Sequence, residues 1–414
     1  MGMVTPLGRD VEETFTRAAA GESGVRAITS FDTSGLPCRI AGQVDDAWLE
    51  DGATDRMHGL ASRGLRLMLS AGRQAATAAR LHEVASRQRV GVALGSHGDY
   101  PSLDQILLLH RHTDGKGRWN LPGLARTAGY DSRQLFRRKP DVTAGLLAAT
   151  FGCHGPNLSL VSACAAGAQA IGEAYRLILD GGADVMVGGG CEATVNFMGL
   201  LGFTLLHALA EEAPAPETAS RPFDRRRNGF VLSEGAGAVV LEAEDHALAR
   251  GATVLGEVLG YGDSADAYRI TDAHPLGTGA ALAMQSAIRE AGLSPDEVDV
   301  INAHATSTVQ GDIAEARAIA EVFGDRSRTI PVTANKSMLG HTIAAAGAIE
   351  CILTLVGMHN ALILPTINYR TPDPRCPLDV VGGAARVKEH RVALSNSFGF
   401  GGQNACLCLG RGDD

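Results

Sequence analysis

Short apolar runs that end in Gly- or Ser-rich turns alternate along this chain with Ala-rich segments. Asn157–Ser162 reads as a strand and Ala165–Leu179 as a helix. Asp180–Asp184 turns the chain into a second strand, Val185–Gly188. The pattern returns later, with a strand at Val298–Ala303, a helix at Asp312–Val322 and a strand at Thr329–Ala334. A helix at Ile343–Val356 and a last strand at Arg391–Asn396 close it. Such strand–helix alternation predicts an α/β protein. Two helices look alike: Cys164–Gly172 reads CAAGAQAIG and Ala344–Glu350 reads AAAGAIE. Both are too rich in small residues for surface helices, so both are expected between layers. Their likeness points to internal duplication, with chance similarity of Ala/Gly-rich helices as the alternative. Gly115–Arg138, where Gly, Pro and charge interleave, is the least regular segment and reads as an elaborated loop or an interface.

Composition narrows the class. With 414 residues, 45% hydrophobic, the chain can bury a large core. Aromatics are only 5% and glycines number 51, so that core is expected to be aliphatic and closely packed. The net charge of −9 argues against bulk nucleic-acid binding. Two basic clusters stand out all the same, Arg137–Lys139 and Arg225–Arg227, which read either as solvated surface or as docking sites for an acidic partner. None of the eight cysteines forms a CxxC pair, so neither a zinc framework nor a disulfide scaffold is suggested and a reducing, cytoplasmic setting is expected. No secretory leader is visible at the start of the sequence. Ala193–Ala210 and Cys351–Tyr369 approach membrane-span length, but glycines or a proline break them, and both read as buried core or pocket wall.

Chemistry is concentrated at strand ends. Cys164, in SLVSACAAGAQAIG, stands where a strand passes into a helix. The free N–H groups and dipole of a helix start would lower its pKa and favour thiolate. Cys191, in GGGCEA, is the rival nucleophile, without so clear a helix start. The other cysteines read as inert core thiols. His304 (NAHATST) and His341 (SMLGHTI) lie in Gly/Ser/Thr-rich loops after strands, where active sites are built. Lys336, five residues before His341, reads in isolation as a surface lysine. Phe398, Gly399, Phe400, Gly401 and Gly402 form a tight loop in SFGFGG that lacks the spacing of a dinucleotide fingerprint.

Taken together, these segments resemble the β-ketoacyl-acyl carrier protein synthases of the thiolase-fold superfamily, especially the type II elongation enzymes. The resemblance runs from MGMVTPLG through GPNLSLVSACAAGAQAIG, ADVMVGGGCEA, RPFDRRRNGFVLSEGAGAVVLE and NAHATSTVQGD to NKSMLGHTIAAAGAIE and SNSFGFGGQNA. It implies a five-layer αβαβα sandwich of two related halves, here 1–252 and 253–414, the first carrying the cysteine and the second both histidines. It implies that Cys164 accepts the acyl group, that His304 and His341 are the active-site pair, and that Lys336 is partnered by Glu350. Phe400 is implied as the gate of the acyl pocket within its 398–401 loop. Backbone N–H groups of Cys164 and Phe400 would form the oxyanion site. Thr271, Thr306 and Thr308 would contact the pantetheine arm, while Asp312 and Glu315 support the histidine loop. The implied reaction is a decarboxylative Claisen condensation of an acyl-cysteine with a malonyl thioester, needing no cofactor or metal. The implied partners are acyl carrier protein and a second thiolase-fold chain, either a copy or a chain-length-factor-like subunit.

The departures bear on substrate more than on reaction. Ala305 replaces a usual glycine, Gln403 a threonine and Asn228 an aspartate, and 133–144 diverges from the fatty-acid enzymes. The resemblance also leads one to expect a short strand ahead of Met1-Gly2-Met3. These features are compatible with polyketide elongation. A non-catalytic pocket-shaping subunit is disfavoured by Cys164. A degradative thiolase, drawing a second cysteine from Cys406 or Cys408, fits SNSFGFGG and the paired histidines less well, and a cysteine hydrolase lacks its His/Asn context.

Overall fold

The computed structural model describes residues 1–49, 60–127, 133–211, 213 and 215–412. A first sheet is built from β1 (Gly2–Val4), β2 (Val90–Gly95), β3 (Asn157–Leu160), β4 (Val185–Glu192) and β5 (Gly235–Glu242). Their spatial order is β1-β5-β4-β2-β3. A second sheet is built from β6 (Gly256–Ala265), β7 (Val300–Asn302), β8 (Pro331–Thr333), β9 (Asp379–Val380), β10 (Val392–Gly399) and β11 (Gln403–Arg411). Its order is β6-β11-β10-β7-β8-β9. Apart from the added edge strand β9, the two orders match position for position. The directions match as well: the first two pairings of each sheet are antiparallel and the next two parallel. The duplication suspected from two helices therefore extends to both sheets.

The helices are α1 (Arg63–Ala78), α2 (Pro140–Phe151), α3 (Ala166–Leu179), α4 (Phe197–Leu205), α5 (Thr278–Glu290), α6 (Val309–Phe323) and α7 (Ala346–His359). Leu67 and Met68 of α1 and Leu147 of α2 pack with Val92 and Val187 on one face of the first sheet. Met284 of α5 and Ile319 of α6 do the same with Ile301 and Leu394 of the second. Between the sheets lie α3 and α7, where Ile171, Ile349 and Ile352 meet Val239, Tyr261 and Leu407. These are the five layers. Because both faces of each sheet are covered, β4 is buried along its whole length and its sequence, VMVGGGCE, does not alternate.

The central helices are related by an offset of 180 residues. Each is preceded by a tight turn, Ala163–Ala165 and Ile343–Ala345. Each turn opens on a non-glycine residue at positive φ, Ala163 at 49° and Ile343 at 46°. Their small residues let the helices touch through backbone. A Cβ added to Gly167 would lie 2.5 Å from the Ala344 carbonyl oxygen, and one added to Gly347 would lie 2.6 Å from the Ala168 nitrogen.

Several expected boundaries shift. The strand read at 157–162 ends at Leu160, the helix read from Asp312 begins at Val309, and the last strand read at 391–396 runs to Gly399 and is followed by a further one. Gly2–Val4 themselves form β1, which pairs antiparallel with β5. Within the irregular stretch 115–138, residues 128–132 lie outside the described residues, and short helices occupy Leu121–Arg126 and Gln134–Arg137. Of the two uncharged stretches, one supplies α4 and the other most of α7. Among the described residues, no helix is long and apolar enough to cross a membrane.

Candidate active site

Cys164 sits in the turn that opens α3, 5% exposed, just beyond the carboxyl end of β3. His341 reaches it from the equivalent turn of the other half, with Nε2 3.0 Å from the sulfur. The Ile343 amide donates to Nδ1 of His341 at 3.3 Å, which puts the proton of the neutral ring on Nε2, facing the sulfur. His304 follows β7, and its ring lies edge-on to His341 with centroids 5.3 Å apart. The sulfur and one ring nitrogen of each histidine all lie within 4.8 Å of one another, so a single small group can touch all three. Phe230 packs edge-on against His341 at 5.3 Å, and Phe398 tilts against His304 at 5.7 Å.

A buried frame holds this cluster. Glu315 accepts hydrogen bonds from the backbone N–H groups of His304 (2.8 Å) and Ala305 (2.7 Å) and from the Asn396 amide (3.1 Å). Asp312 accepts from the amides of Ser307 (3.1 Å) and Phe223 (2.8 Å). The loop needs such a grip because Ala305 and Ser307 stand at φ 32° and 71°, conformations that cost a residue with a Cβ on the order of 1–3 kcal/mol each. Lys336 is 2% exposed and its Nζ lies 2.5 Å from Oε1 of Glu350, equally buried.

Electrostatics follow burial. Burial, helped by the Lys336 ammonium, holds both imidazoles well below their ordinary range, so both are neutral. Burial also pushes Glu350 and Asp312 up to about 7, against the pull of Lys336 and Arg227 respectively. The Cys164 thiol is pushed up to about 12 by burial, while Lys336 and the backbone N–H groups of Phe400 and Cys164 pull the other way. This corrects the expectation of a resting thiolate. A helix start contributes about 0.3–1 kcal/mol, whereas full burial can move a pKa by 3–5 units at roughly 1.4 kcal/mol each. Desolvation among Phe230, Leu232 and Ile343 therefore wins, and Cys164 rests as a thiol.

A cavity of about 310 Å³ opens onto this cluster. Cys164, His304, His341, Phe398, Gly399 and Phe400 line its depth, and Thr271, Thr306 and Thr308 line it as well. The hydroxyls of Thr306 and Thr308 are 3.1 Å apart. Gly401 lies on the exposed tip between β10 and β11, tied by its N–H to the Ile270 carbonyl at 2.6 Å.

Beta-ketoacyl synthase N-terminal and C-terminal domains match residues 1–247 and 255–370. The chain belongs to the β-ketoacyl synthase family. It is similar to the 3-oxoacyl-[acyl-carrier-protein] synthase 2 of Staphylococcus aureus, at 37% identity over 408 residues that cover 98% of each chain. Among solved structures it is similar to a type II polyketide acyl-carrier protein–ketosynthase complex, AntDE:AntF, bound to the hexaketide. There the TM-score is 0.87 at 31% identity, covering all of this chain and 98% of that one. It is also similar to the ishigamide ketosynthase/chain length factor, with TM-score 0.86, 32% identity and the same coverage.

Within this β-ketoacyl synthase fold, twelve of the thirteen other singled-out residues between 271 and 401 gather with Cys164 at one cavity or in its supporting frame, and Gly401 lies outside both. Three readings of single residues change. Cys191, the rival nucleophile, is wholly buried inside β4 and does not line the cavity. Lys336 is not a surface lysine. Arg227, counted in a basic surface cluster, has a fully buried side chain between Asp312 (3.3 Å) and Asp373 (2.7 Å), leaving only Arg225 and Arg226 exposed there. Phe230 and Ile343 were missed. Phe230 lies in the NGFVLSE segment and Ile343 two residues after His341, but nothing in their types announces a contact with an imidazole.

Proposed function

We propose that this chain catalyses decarboxylative condensation of an acyl group carried on Cys164 with a malonyl group presented by acyl carrier protein. The observation that carries the reading is the meeting of one sulfur and two neutral imidazoles from opposite halves of a duplicated fold. In the first half-reaction the sulfur attacks a carrier thioester, the carrier's C–S bond breaks, and the Cys164 proton ends on the departing carrier thiol. Backbone N–H groups of Cys164 and Phe400 are aimed at the transient oxyanion. In the second, the bond between the malonyl α-carbon and its carboxylate breaks and CO2 leaves. The electron pair becomes an enolate whose oxygen accepts from His304 and His341. That carbon then attacks the acyl carbonyl, the bond to Cys164 breaks, and the sulfur regains a proton from solvent. Burial, helped by the charge of Lys336, keeps both imidazoles unprotonated.

Thr271, Thr306 and Thr308 are assigned to the pantetheine arm, with Phe400 and its 398–401 loop as the gate. The division into 1–252 and 253–414 belongs to the same reading, as does a cytoplasmic setting. The free edge of β3 and the exposed Val161 and Phe136 suit coverage by a second thiolase-fold chain, a copy of this one or a chain-length-factor-like subunit. Exposed Arg225, Arg226 and Lys139 are candidates for carrier docking. Intact-mass analysis after exposure to acyl carrier thioesters tests the core of this reading. Loading is expected on wild type and absent in Cys164→Ala, while His304→Ala and His341→Ala load but do not condense. Loading that survives in Cys164→Ala defeats the assignment.

A further inference from the structure

Cys164, His304 and His341 carry a second chemistry besides condensation. Among the described residues they are the one set of three or more Cys, His, Asp and Glu side chains whose donor atoms all lie within 4.8 Å of one another. Around Zn2+, with Zn–S about 2.3 Å and Zn–N about 2.0–2.1 Å, neighbouring donors of a tetrahedron stand roughly 3.3–3.6 Å apart. The Cys164 sulfur and Nε2 of His341 are already 3.0 Å apart, so side-chain shifts on the order of 1 Å bring all three donors onto one ion. One sulfur and two imidazoles suit Zn2+, whereas Mg2+ and Ca2+ prefer oxygen donors. The cavity of about 310 Å³ gives an ion a way in and leaves its fourth position to water.

Protonation permits the binding. Both imidazoles are neutral, as metal ligands must be. Nδ1 of His304 has no hydrogen-bond partner among the described residues, so its ring proton is tied to neither nitrogen. His341 has to move its proton from Nε2 to Nδ1, which gives up only the long 3.3 Å bond from the Ile343 amide. The Cys164 thiol loses its proton to solvent as the metal–sulfur bond forms. Lys336 and His97, whose charges reach His341, do not oppose the ion unpartnered. Lys336 lies against Glu350, and Nδ1 of His97 is 2.6 Å from Oε2 of Glu192. A dedicated zinc site hands the second ring N–H of each histidine to a carboxylate or carbonyl. Here Nδ1 of His341 faces an amide N–H and Nδ1 of His304 faces no partner, which suits a reversibly bound ion and not a resident one. We propose that these three side chains bind Zn2+ reversibly, and that the ion holds the Cys164 sulfur out of reach of an acyl thioester. The metal site rests on the geometry alone, and its effect on acyl loading rests on the ketosynthase reading above.

The test titrates the full chain with Co2+, a spectroscopic stand-in for Zn2+. One equivalent per chain should produce a thiolate-to-metal charge-transfer band that Zn2+ abolishes and Mg2+ does not. Cys164→Ala and Cys164→Ser should lose the band, and Cys191→Ser, altered inside β4 and away from the cavity, should keep it. His304→Ala or His341→Ala should weaken Co2+ binding at least about tenfold, since even an outer partner of a ligand is worth that much. In parallel, intact mass after exposure to an acyl N-acetylcysteamine thioester should show loading of Cys164 blocked by one equivalent of Zn2+ and restored by a chelator. A wild-type chain without the band, a band that persists in both Cys164 variants, or loading that proceeds with Zn2+ bound overturns the site. Failure of the metal-free chain to load defeats the ketosynthase reading and leaves the Co2+ titration to decide the metal site by itself.

Discussion

Glu315→Gln isolates the carboxylate that fixes the position of His304. Its Oε1 accepts from the His304 N–H and the Asn396 amide, and its Oε2 accepts from the Ala305 N–H. A glutamine whose carbonyl replaces Oε1 keeps the first two bonds, but its NH2 then faces the Ala305 N–H. One buried donor is orphaned, at about 1–3 kcal/mol, and the two surviving bonds lose their charge, at roughly 0.5–1.5 kcal/mol each. The sum is about 2–6 kcal/mol, applied to a loop already holding Ala305 at φ 32°. Denaturant unfolding at pH 8 should therefore shift by that amount. Catalysis should split. His304 loses its backbone anchor, and misplacing an oxyanion donor that is worth about 10²–10³ in rate should slow condensation at least tenfold. Acyl loading depends on Cys164, which Glu315 does not touch, and should stay within about threefold. Condensation and loading falling in parallel, or condensation unchanged in a destabilised protein, would refute the claim that this carboxylate acts by placing His304.

Four further outcomes follow from the geometry. The Cys164 thiol, pushed up to about 12 by burial, should be alkylated by iodoacetamide with a rate that climbs about tenfold per pH unit from 7 to 10, and a plateau near pH 8 would restore the thiolate reading. Removing the charge in Lys336→Met should let the imidazoles move up towards 6.5, so that activity, which requires neutral rings, fails at a higher pH than in wild type. The same variant strands Glu350 and should cost about 3–5 kcal/mol in denaturant unfolding, most of it recovered in Lys336→Met/Glu350→Leu. Gly347→Ala places a Cβ 2.6 Å from the Ala168 nitrogen and should lower stability by about 1–3 kcal/mol while slowing acyl loading, and a neutral effect on both would show that the two central helices can separate freely.

What could be read from the sequence was local. A strand passing into a small-residue helix marked Cys164, and Gly/Ser/Thr-rich strand ends marked His304 and His341, because such junctions expose a side chain whatever else the fold does. The errors all concern sums over distant residues. Arg227 looked like part of a basic surface run because Asp312 and Asp373, which enclose it, lie 85 and 146 positions away. Spacing alone left Lys336 open to a surface reading, and only the family resemblance paired it with Glu350, which reaches it after the chain has turned into α7. The helix start at Cys164 is written in neighbouring residues, whereas the burial that outweighs it comes from Phe230, Leu232 and Ile343. The His97–Glu192 pair spans 95 positions and exists only because β2 and β4 share a register, which no spacing rule announces.

Duplication explains why the site needs both halves. Offset by 180 residues, Cys164 corresponds to Ala344 and His341 to Val161, so each half offers the same strained turn at a helix start but only one bears the sulfur and only the other the imidazole. Nothing within one half can bring the two together. What does so is the contact between α3 and α7, where Gly167 and Gly347 admit the other helix's backbone at a distance no Cβ would allow. The 3.0 Å between sulfur and Nε2 is thus set by helix-to-helix packing rather than by either loop. On this view the alanine- and glycine-rich sequences of the two helices are themselves part of the active site, because a larger residue at either crossing would hold the nucleophile and its partner apart while leaving each half of the fold intact.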